Sequence, residues 1–334
     1  MISKKAIVRE TLYREICEKR LLPGEQIPSR NQLMRRFHCS RTVVERALAE
    51  LTALGMLRGH QGRGTFVSGC ESETGNISRI NVISPYDAVS FRSALSCILL
   101  NLNDLDIPME TIPTERAEAE MELLCTPGSL TVYINPGYEL LSLMNFLRIR
   151  NVPQIIINRE FDGFDRIYTD TLAGFREGID YLQRVSNAPL SMVSRMPHIS
   201  CPYLTPRLMS FYRACAERGI TVKAENSFFL DDAAANNGDF SMLFKKLPAK
   251  IAVCSREFSE PVLNFALKHH LKPGKDFHFL AFEYSESLSA IPNIAIIRQK
   301  YDALYDEFLR YLPICHLPNR PEFVSVIPPE VIIT

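Results

Sequence analysis

Apolar positions near the start of the chain recur at helical spacing. Residues 4–20 place Ile7, Leu12 and Ile16 roughly one turn apart, with Leu21 following, and the LLPG of residues 21–24 ends the run. Ser29 is an N-cap candidate for a short helix through Phe37. His38 and Cys39 make a turn. Ser40 caps the next helix, whose apolar face is Val43, Val44, Ala47, Leu48, Leu51 and Leu54, and Gly55 stops it. Two short helices across a tight turn predict a helix-turn-helix. Met56–Arg58 and Thr65–Val67 then read as short strands. The GHQGRG loop between them needs its glycines for positive φ and carries Arg63 at its tip.

The pattern then changes twice. Residues 69–78, GCESETGNIS, are polar with two glycines and read as a linker. From residue 79 short apolar runs alternate with helical stretches: INVIS, then 90–103; TVYI, then 138–150; QIIIN, then 171–184; LSMVS, then 206–219; IAVCS, then 258–271; FHFLAF and IAIIR, then 301–312. Strands alternating with helices predict an α/β fold with a doubly wound parallel sheet, which takes ligands at the carboxyl ends of its strands.

Charge sharpens this division. The chain of 334 residues carries 38 Lys and Arg against 38 Asp and Glu. Residues 1–68 hold 13 basic and 6 acidic residues, leaving 25 against 32 for the rest. A basic module fused to an acidic one points to nucleic-acid binding by the first part. No apolar run reaches membrane-spanning length, and MISKKAIVRE lacks the apolar core of a secretion signal, so a cytoplasmic protein without a membrane partner is expected. The nine cysteines include no C-x-x-C pair, and Cys17, Cys39, Cys97, Cys215 and Cys254 sit in apolar patterns as reduced core residues.

The chemistry of residues 28–66 suits duplex DNA. Ser40, Arg41 and Thr42 open the second helix of the motif, where a recognition helix meets base edges. Arg can bridge guanine O6 and N7. Arg35, Arg36, Arg46 and Arg58 supply charge toward phosphates, and Arg63 on a narrow hairpin has the shape for a minor groove. The stretch LLPGEQIPSRNQLMRRFHCSRTVVERALAELTALGMLRGHQGRGTFVS resembles the winged helix of the GntR family of bacterial transcription regulators over residues 6–68. The resemblance implies DNA contacts from Ser40, Arg41, Thr42, Gln61, Gly62 and Arg63. Two family arginines are replaced: one by Asn31, with Arg30 beside it, and one by Glu45, with Arg46 beside it. Glu45 either accepts from cytosine N4, giving a different operator, or pairs with Arg41 or Arg46.

Residues 79–334 resemble the LacI/GalR sensor domain, whose fold is that of periplasmic sugar-binding proteins. The resemblance is carried by RINVISPYDAVSF, QIIINRE, YTDTLAGFREGIDYL, RLMSFYRACAERGI, the AKIAVCSREFSE segment through FLAFEYSES, and IAIIRQKYDALYDEFLRYL. It implies two lobes, about 79–167 with 298–322 and about 168–297 with 323–334, closing on a sugar or sugar derivative. Arg207 and Gln299 keep family positions, Glu283 and Asn158 replace aspartates, Ser255-Arg256 replaces an Asn-Asp pair, and Tyr86 and Phe91 supply an aromatic wall. Arg207 with Arg256 would suit an anionic effector such as a dicarboxylate. Alternatively Arg256 pairs with Glu257 or Glu260 at the rim, or the sensor is degenerate and binds no ligand.

An enzyme is the first rival reading. His198, His316 and the vicinal His269-His270 have no H-E-x-x-H, G-x-S-x-G or P-loop context, so no catalysis, cofactor or metal is expected. A transport binding protein is the second, and it would have no use for the basic first module. The expectation is a winged helix-turn-helix joined to a two-lobed periplasmic-binding-protein-like domain. The chain would act as a homodimeric regulator, a repressor rather than an activator, on a double-stranded DNA operator.

Overall fold

The computed structural model describes residues 4–17, 21, 24–53, 57–60, 64–67, 77–84, 101–102, 105–198, 201–317 and 320–334. The expected wing tip Gln61-Gly62-Arg63, Leu54, Gly55, Met56, linker residues 69–76, Tyr86, Phe91 and most of the helix expected over 90–103 lie outside them. The chain divides into two compact units. Unit one comprises residues 1–88, 102–155 and 310–321, and unit two comprises 89–101, 156–309 and 322–334.

Unit one opens with α1 (Lys4–Cys17), α2 (Arg30–Phe37) and α3 (Arg41–Ala53), followed by the antiparallel pair β1 (Leu57–His60) and β2 (Gly64–Val67). The buried stripe of α1 is Val8, Leu12 and Ile16, an i, i+4, i+8 row. Ile7, expected in that stripe, is 45% exposed because it falls one position off the row. Val8, Leu12 and Ile16 join Ile27, Leu33, Val44, Ala47, Leu48, Leu51, Leu57 and Val67 in one core. Residues 24–27 run beside β2, with Gly24 and Ile27 donating to the carbonyls of Val67 and Thr65 at 3.0 Å each. Gly64 has φ +113 with the end of the Gln26 side chain close by, so a larger residue there is strained.

β3 (Arg79–Ser84) is flanked in parallel by β4 (Met109–Pro113) and β5 (Ser129–Ile134). Then follow α4 (Leu141–Ile149), numbered among helices of eight residues or more, and β6 (Gln154–Ile157). Ile149 at the end of α4 packs against the helix-turn-helix core.

Unit two carries β7 (Arg166–Thr169), α5 (Thr171–Val185), β8 (Leu190–Arg195), α6 (Leu204–Ala216), β9 (Ser227–Leu230), β10 (Ala249–Val253), α7 (Arg256–Lys268), β11 (Phe277–Phe282), β12 (Ala295–Arg298), α8 (Tyr301–Tyr311), β13 (Val324–Ile327) and β14 (Glu330–Ile333). The strands make two six-stranded sheets, β13-β7-β6-β5-β3-β4 and β14-β12-β11-β10-β8-β9. The β12–β14 pair is antiparallel, and the other pairs described in these two sheets are parallel. Only Pro328 and Pro329 separate β13 from β14, although the two strands belong to different sheets.

Continuous apolar runs are explained by burial on both faces. Along the second sheet, Leu190, Met192, Ala252, Leu280, Phe282 and Ile297 face α5 and α6, while Val193, Ile251, Val253, Phe279, Ala281 and Ile296 face α7. Helix α5 lies close on the sheet because Gly174 and Gly178 have no side chain. A Cβ at Gly178 would stand 2.6 Å from Leu280 Cδ1, and one at Gly174 would stand 2.8 Å from Pro329 Cγ. The strands anticipated from apolar runs are all present. Strands β4, β7, β9, β13 and β14 were not anticipated. Four of these, β4, β9, β13 and β14, are edge strands, and none of those four has more than one buried residue.

Candidate nucleic-acid interface and effector site

The turn between α2 and α3 is built from local chemistry. Ser29 and Gln32 form a capping box, with Ser29 N donating to Gln32 Oε1 at 2.7 Å and Gln32 N donating to Ser29 Oγ at 3.4 Å. His38 closes α2 in the left-handed region at φ 45, and Cys39 N returns to the Met34 carbonyl. Ser40 O accepts from Val43 N and Val44 N to start α3. Val44, Ala47, Leu48 and Leu51 are buried, which leaves the opposite face of α3 in water.

That face carries Arg41, Thr42, Glu45 and Arg46, with Ser40 just before it and Arg30 and Asn31 on the first turn of α2. Arg30, Asn31, Ser40, Arg41, Thr42, Glu45 and Arg46 are all exposed. Arg41 Nε donates to Glu45 Oε1 at 2.8 Å, and Arg30 Nε stands 3.9 Å from the same oxygen. Glu45 is therefore paired with Arg41, one of the two partners anticipated, and with Arg30 rather than Arg46. Arg46 makes no ion pair among the described residues. Arg36, expected to face phosphate, is held by Glu15, with Nη1 3.1 Å from Oε2, and this partner raises its pKa.

The second cluster lies wholly in unit two. Glu283 follows β11 at φ +92 and Asn158 follows β6 at φ +64, both in the region where side chains are uncommon. The Glu283 carboxylate is buried. It accepts from Gln299 Nε2 at 2.5 Å and from Tyr301 Oη at 3.0 Å. Gln299 Oε1 in turn accepts from Thr169 Oγ1 at 2.8 Å, which completes a buried chain of four groups. Burial, with Glu283 adding its charge, drives the Tyr301 phenol well above its ordinary range.

Two guanidiniums share one tyrosine. The guanidinium carbons of Arg159 and Arg207 lie 4.6 and 4.8 Å from the Tyr203 ring centroid, and that of Arg207 lies 3.9 Å from the Phe282 centroid. Arg207 is 9% exposed and donates to the Cys254 carbonyl at 3.0 Å. Arg159 donates to the Asn158 carbonyl at 2.7 Å. Burial lowers the Arg159 pKa to about 10, with the like charge of Arg207 adding to the shift. Burial and Glu257 push the Tyr203 phenol up to about 12.

Three of the expected effector residues, Arg207, Glu283 and Gln299, thus gather in this cluster, and Asn158 joins through the Arg159 bond. Ser255 is fully buried and its hydroxyl links strand ends, accepting from Arg195 N at 2.8 Å and lying 3.0 Å from Ser194 Oγ. Arg256 is exposed on the first turn of α7 and makes no ion pair among the described residues. Its anticipated rim partners are engaged elsewhere: Glu257 lies 3.7 Å from Arg195, and Glu260 accepts from Ser285. Arg159, Tyr203, Tyr301 and Thr169, which the cluster also contains, were not singled out from the sequence. Each sits within five residues of one that was found or one that ends a strand, so the signal was proximity along the chain. Among the described residues no group of three or more His, Cys, Asp and Glu could hold a metal, and no helix is long and apolar enough to cross a membrane.

The described residues thus comprise a basic helix-turn-helix and two parallel-dominated α/β sheets. Comparison with known proteins agrees in both parts. Residues 4–67 match the family model of bacterial regulatory proteins of the gntR family, so this segment is a gntR-type helix-turn-helix. A probable fructoselysine utilization operon transcriptional repressor of Escherichia coli (strain K12) is 39% identical over 62 residues, 19% of this chain and 26% of that protein. The chain thus spans about a quarter of the length of the curated relatives it matches. The fold is shared with solved regulators. A putative ribose operon repressor from Burkholderia thailandensis superposes with TM-score 0.60 at 13% identity, over 78% of this chain and 100% of that one. A CelR transcriptional regulator in complex with cellobiose gives 0.64 at 12% identity, over 88% and 90%. A LacI-family sugar-binding regulator from Escherichia coli, complexed with phosphate, gives 0.62 at 10% identity, over 77% and 97%.

Proposed function

We propose that this protein is a ligand-responsive, DNA-binding transcription regulator acting as a repressor in the cytoplasm. Residues 1–68 would address the operator, 69–78 would link, and 79–334 would sense a small molecule. The observation that carries the reading is the exposed row Ser40, Arg41, Thr42, Glu45 and Arg46 on a helix whose other face is fully buried. Such a helix presents hydrogen-bonding side chains to a major groove while its core fixes their register. Arg30, Asn31 and the wing residues Gln61, Gly62 and Arg63 would add backbone and minor-groove contacts. A homodimer is the expected active form, since two-fold operators match two-fold proteins.

The effector is proposed to be a sugar or sugar derivative held by Asn158, Arg207, Glu283 and Gln299, with Tyr86 and Phe91 as its aromatic wall. The relatives' names support this class: a repressor of fructoselysine utilization and regulators of ribose and cellobiose type. Ligand shifts operator affinity only by its differential affinity for two states of the protein.

Duplex binding measured by fluorescence anisotropy across a salt series tests the DNA half. Each neutralised phosphate contributes about −0.9 to the slope of log K against log salt. A slope of several units is expected. A slope near zero sinks the reading.

A further inference from the structure

The other buried arginine among the described residues of unit two shows what an ordinary solution looks like. Arg166 is 9% exposed, the same as Arg207, and carboxylates of Asp162 and Glu322 stand 2.9 and 3.1 Å from its nitrogens. Arg207 and Arg159 have no carboxylate within ion-pair distance among the described residues. Their partners are one backbone carbonyl each and aromatic faces. Of the neighbouring carboxylates, Glu283 accepts from Gln299 and Tyr301, while Glu257 stands 3.7 Å from Arg195 and its Oε1 takes no hydrogen bond. The Nε of all three arginines is unbonded, so it is the missing carboxylate that separates Arg207 and Arg159 from Arg166.

Two like charges stacked on one tyrosine ring, with no carboxylate in ion-pair range among the described residues, are unfavourable in a folded protein. Stacking on Tyr203 and Phe282 orients the two forks but supplies no acceptor for their N–H groups. The arrangement is left one anion short. A guanidinium takes planar oxyanions by paired, charge-assisted hydrogen bonds. Beside it, Glu283 receives two donors and keeps lone pairs free for hydroxyls, since a carboxylate accepts up to about four.

We infer that the effector carries an oxyanion, a carboxylate or phosphate, received jointly by Arg159 and Arg207, while its hydroxyls face Glu283. This rests on the proposed effector reading and narrows it from sugars in general to hydroxylated anions. It also moves the second cation of the site from Arg256 to Arg159.

The test uses the full chain with glucose, gluconate, glucose 6-phosphate and inorganic phosphate, read by calorimetric titration. Gluconate, glucose 6-phosphate or inorganic phosphate is expected to bind at least about 10-fold more tightly than glucose, the scale of one charge-assisted hydrogen bond. Phosphate and glucose 6-phosphate without gluconate would name a phosphate; gluconate alone would name a carboxylate. Arg159→Met should weaken that binding about 10- to 100-fold. A second readout needs no ligand: the same variant should raise the Tm of the free protein, because a half-buried charge with no carboxylate partner is replaced by an apolar side chain of similar length. A lowered Tm, or failure of the variant to fold, would make Arg159 a structural residue and overturn the inference. Glucose binding as tightly as its anions would overturn it too, yet leave the sugar-effector reading standing. Silence of all four compounds would count against both.

Discussion

The chain concentrates charge in two places and treats it in opposite ways. On α3, Glu45 stands in water beside Arg41 and Arg30, with side chains 45–70% exposed. In unit two, Glu283 is buried among neutral donors and Arg207 among aromatic rings. An exposed pair is worth about 0–1 kcal/mol and exchanges partners readily. A buried charge cannot do so, and its neighbours must be right from the start. The first surface can therefore give up its internal pairs when a polyanion arrives. The second is organised in advance, as the proposed anion site requires.

The strongest challenge to this contrast is Gln299→Leu. It leaves the Thr169 hydroxyl without its partner and the Glu283 carboxylate with Tyr301 alone, at about 1–3 kcal/mol for each lost partner. Urea unfolding should show a loss of about 3 kcal/mol or more. A loss below about 1 kcal/mol would mean the buried chain relaxes onto water and behaves like the surface. Next in size is Arg41→Ala, expected to weaken specific duplex binding by about 1–3 kcal/mol. Folding stability should stay within about 0.5 kcal/mol, as at other exposed positions. Unchanged duplex affinity would place the reading face elsewhere.

A third test concerns a buried base outside the cluster. His278 is 7% exposed, faces Lys250 across the β10–β11 register, and its Nδ1 has no partner. Burial, then the Lys250 charge, lowers its pKa from the ordinary 6.5. The unfolded chain thus takes up this proton first as pH falls. The associated stability is complete above pH 6.5 and declines below it. His278→Gln should flatten the stability curve just below that pH relative to wild type, and an unchanged slope would put the titrating group elsewhere. The smallest effect belongs to Glu45→Ala. Folding should change by under about 0.5 kcal/mol. Duplex affinity should rise if Glu45 only neutralises Arg41 and Arg30, and fall if it accepts from a cytosine.

How much of this was legible in the sequence depended on where each residue's partners lie. Local chemistry was readable: Ser29 as a cap, the turn at His38, the buried row Val44, Ala47, Leu48 and Leu51. The central strands were readable because both faces are buried and their runs are apolar throughout. Edge strands such as β13, with Val324 and Val326 over 40% exposed, leave no such run. Glu283, Gln299 and Arg207 were found through a resemblance. Their connection through Tyr301 and Thr169 was not, because Thr169 and Gln299 are 130 positions apart. Ile7 was misassigned because one residue of slip on a helix turns a side chain by about 100°. That Arg256 has no ion pair among the described residues, and that Arg159 lies on Tyr203, could not be read from a string.

The two prolines between β13 and β14 have a mechanical meaning. Each holds φ near about −65°, and each keeps the residue before it out of the helical region. In extended form such a pair spans about 3.1 Å per residue and bends little. Strands in two different sheets are thereby joined by a rod and not by a spring. Pro329 rests where Gly174 leaves a notch in α5, which gives the rod a fulcrum. Ile327 in one sheet and Glu330 in the other are thus tied with little slack between them.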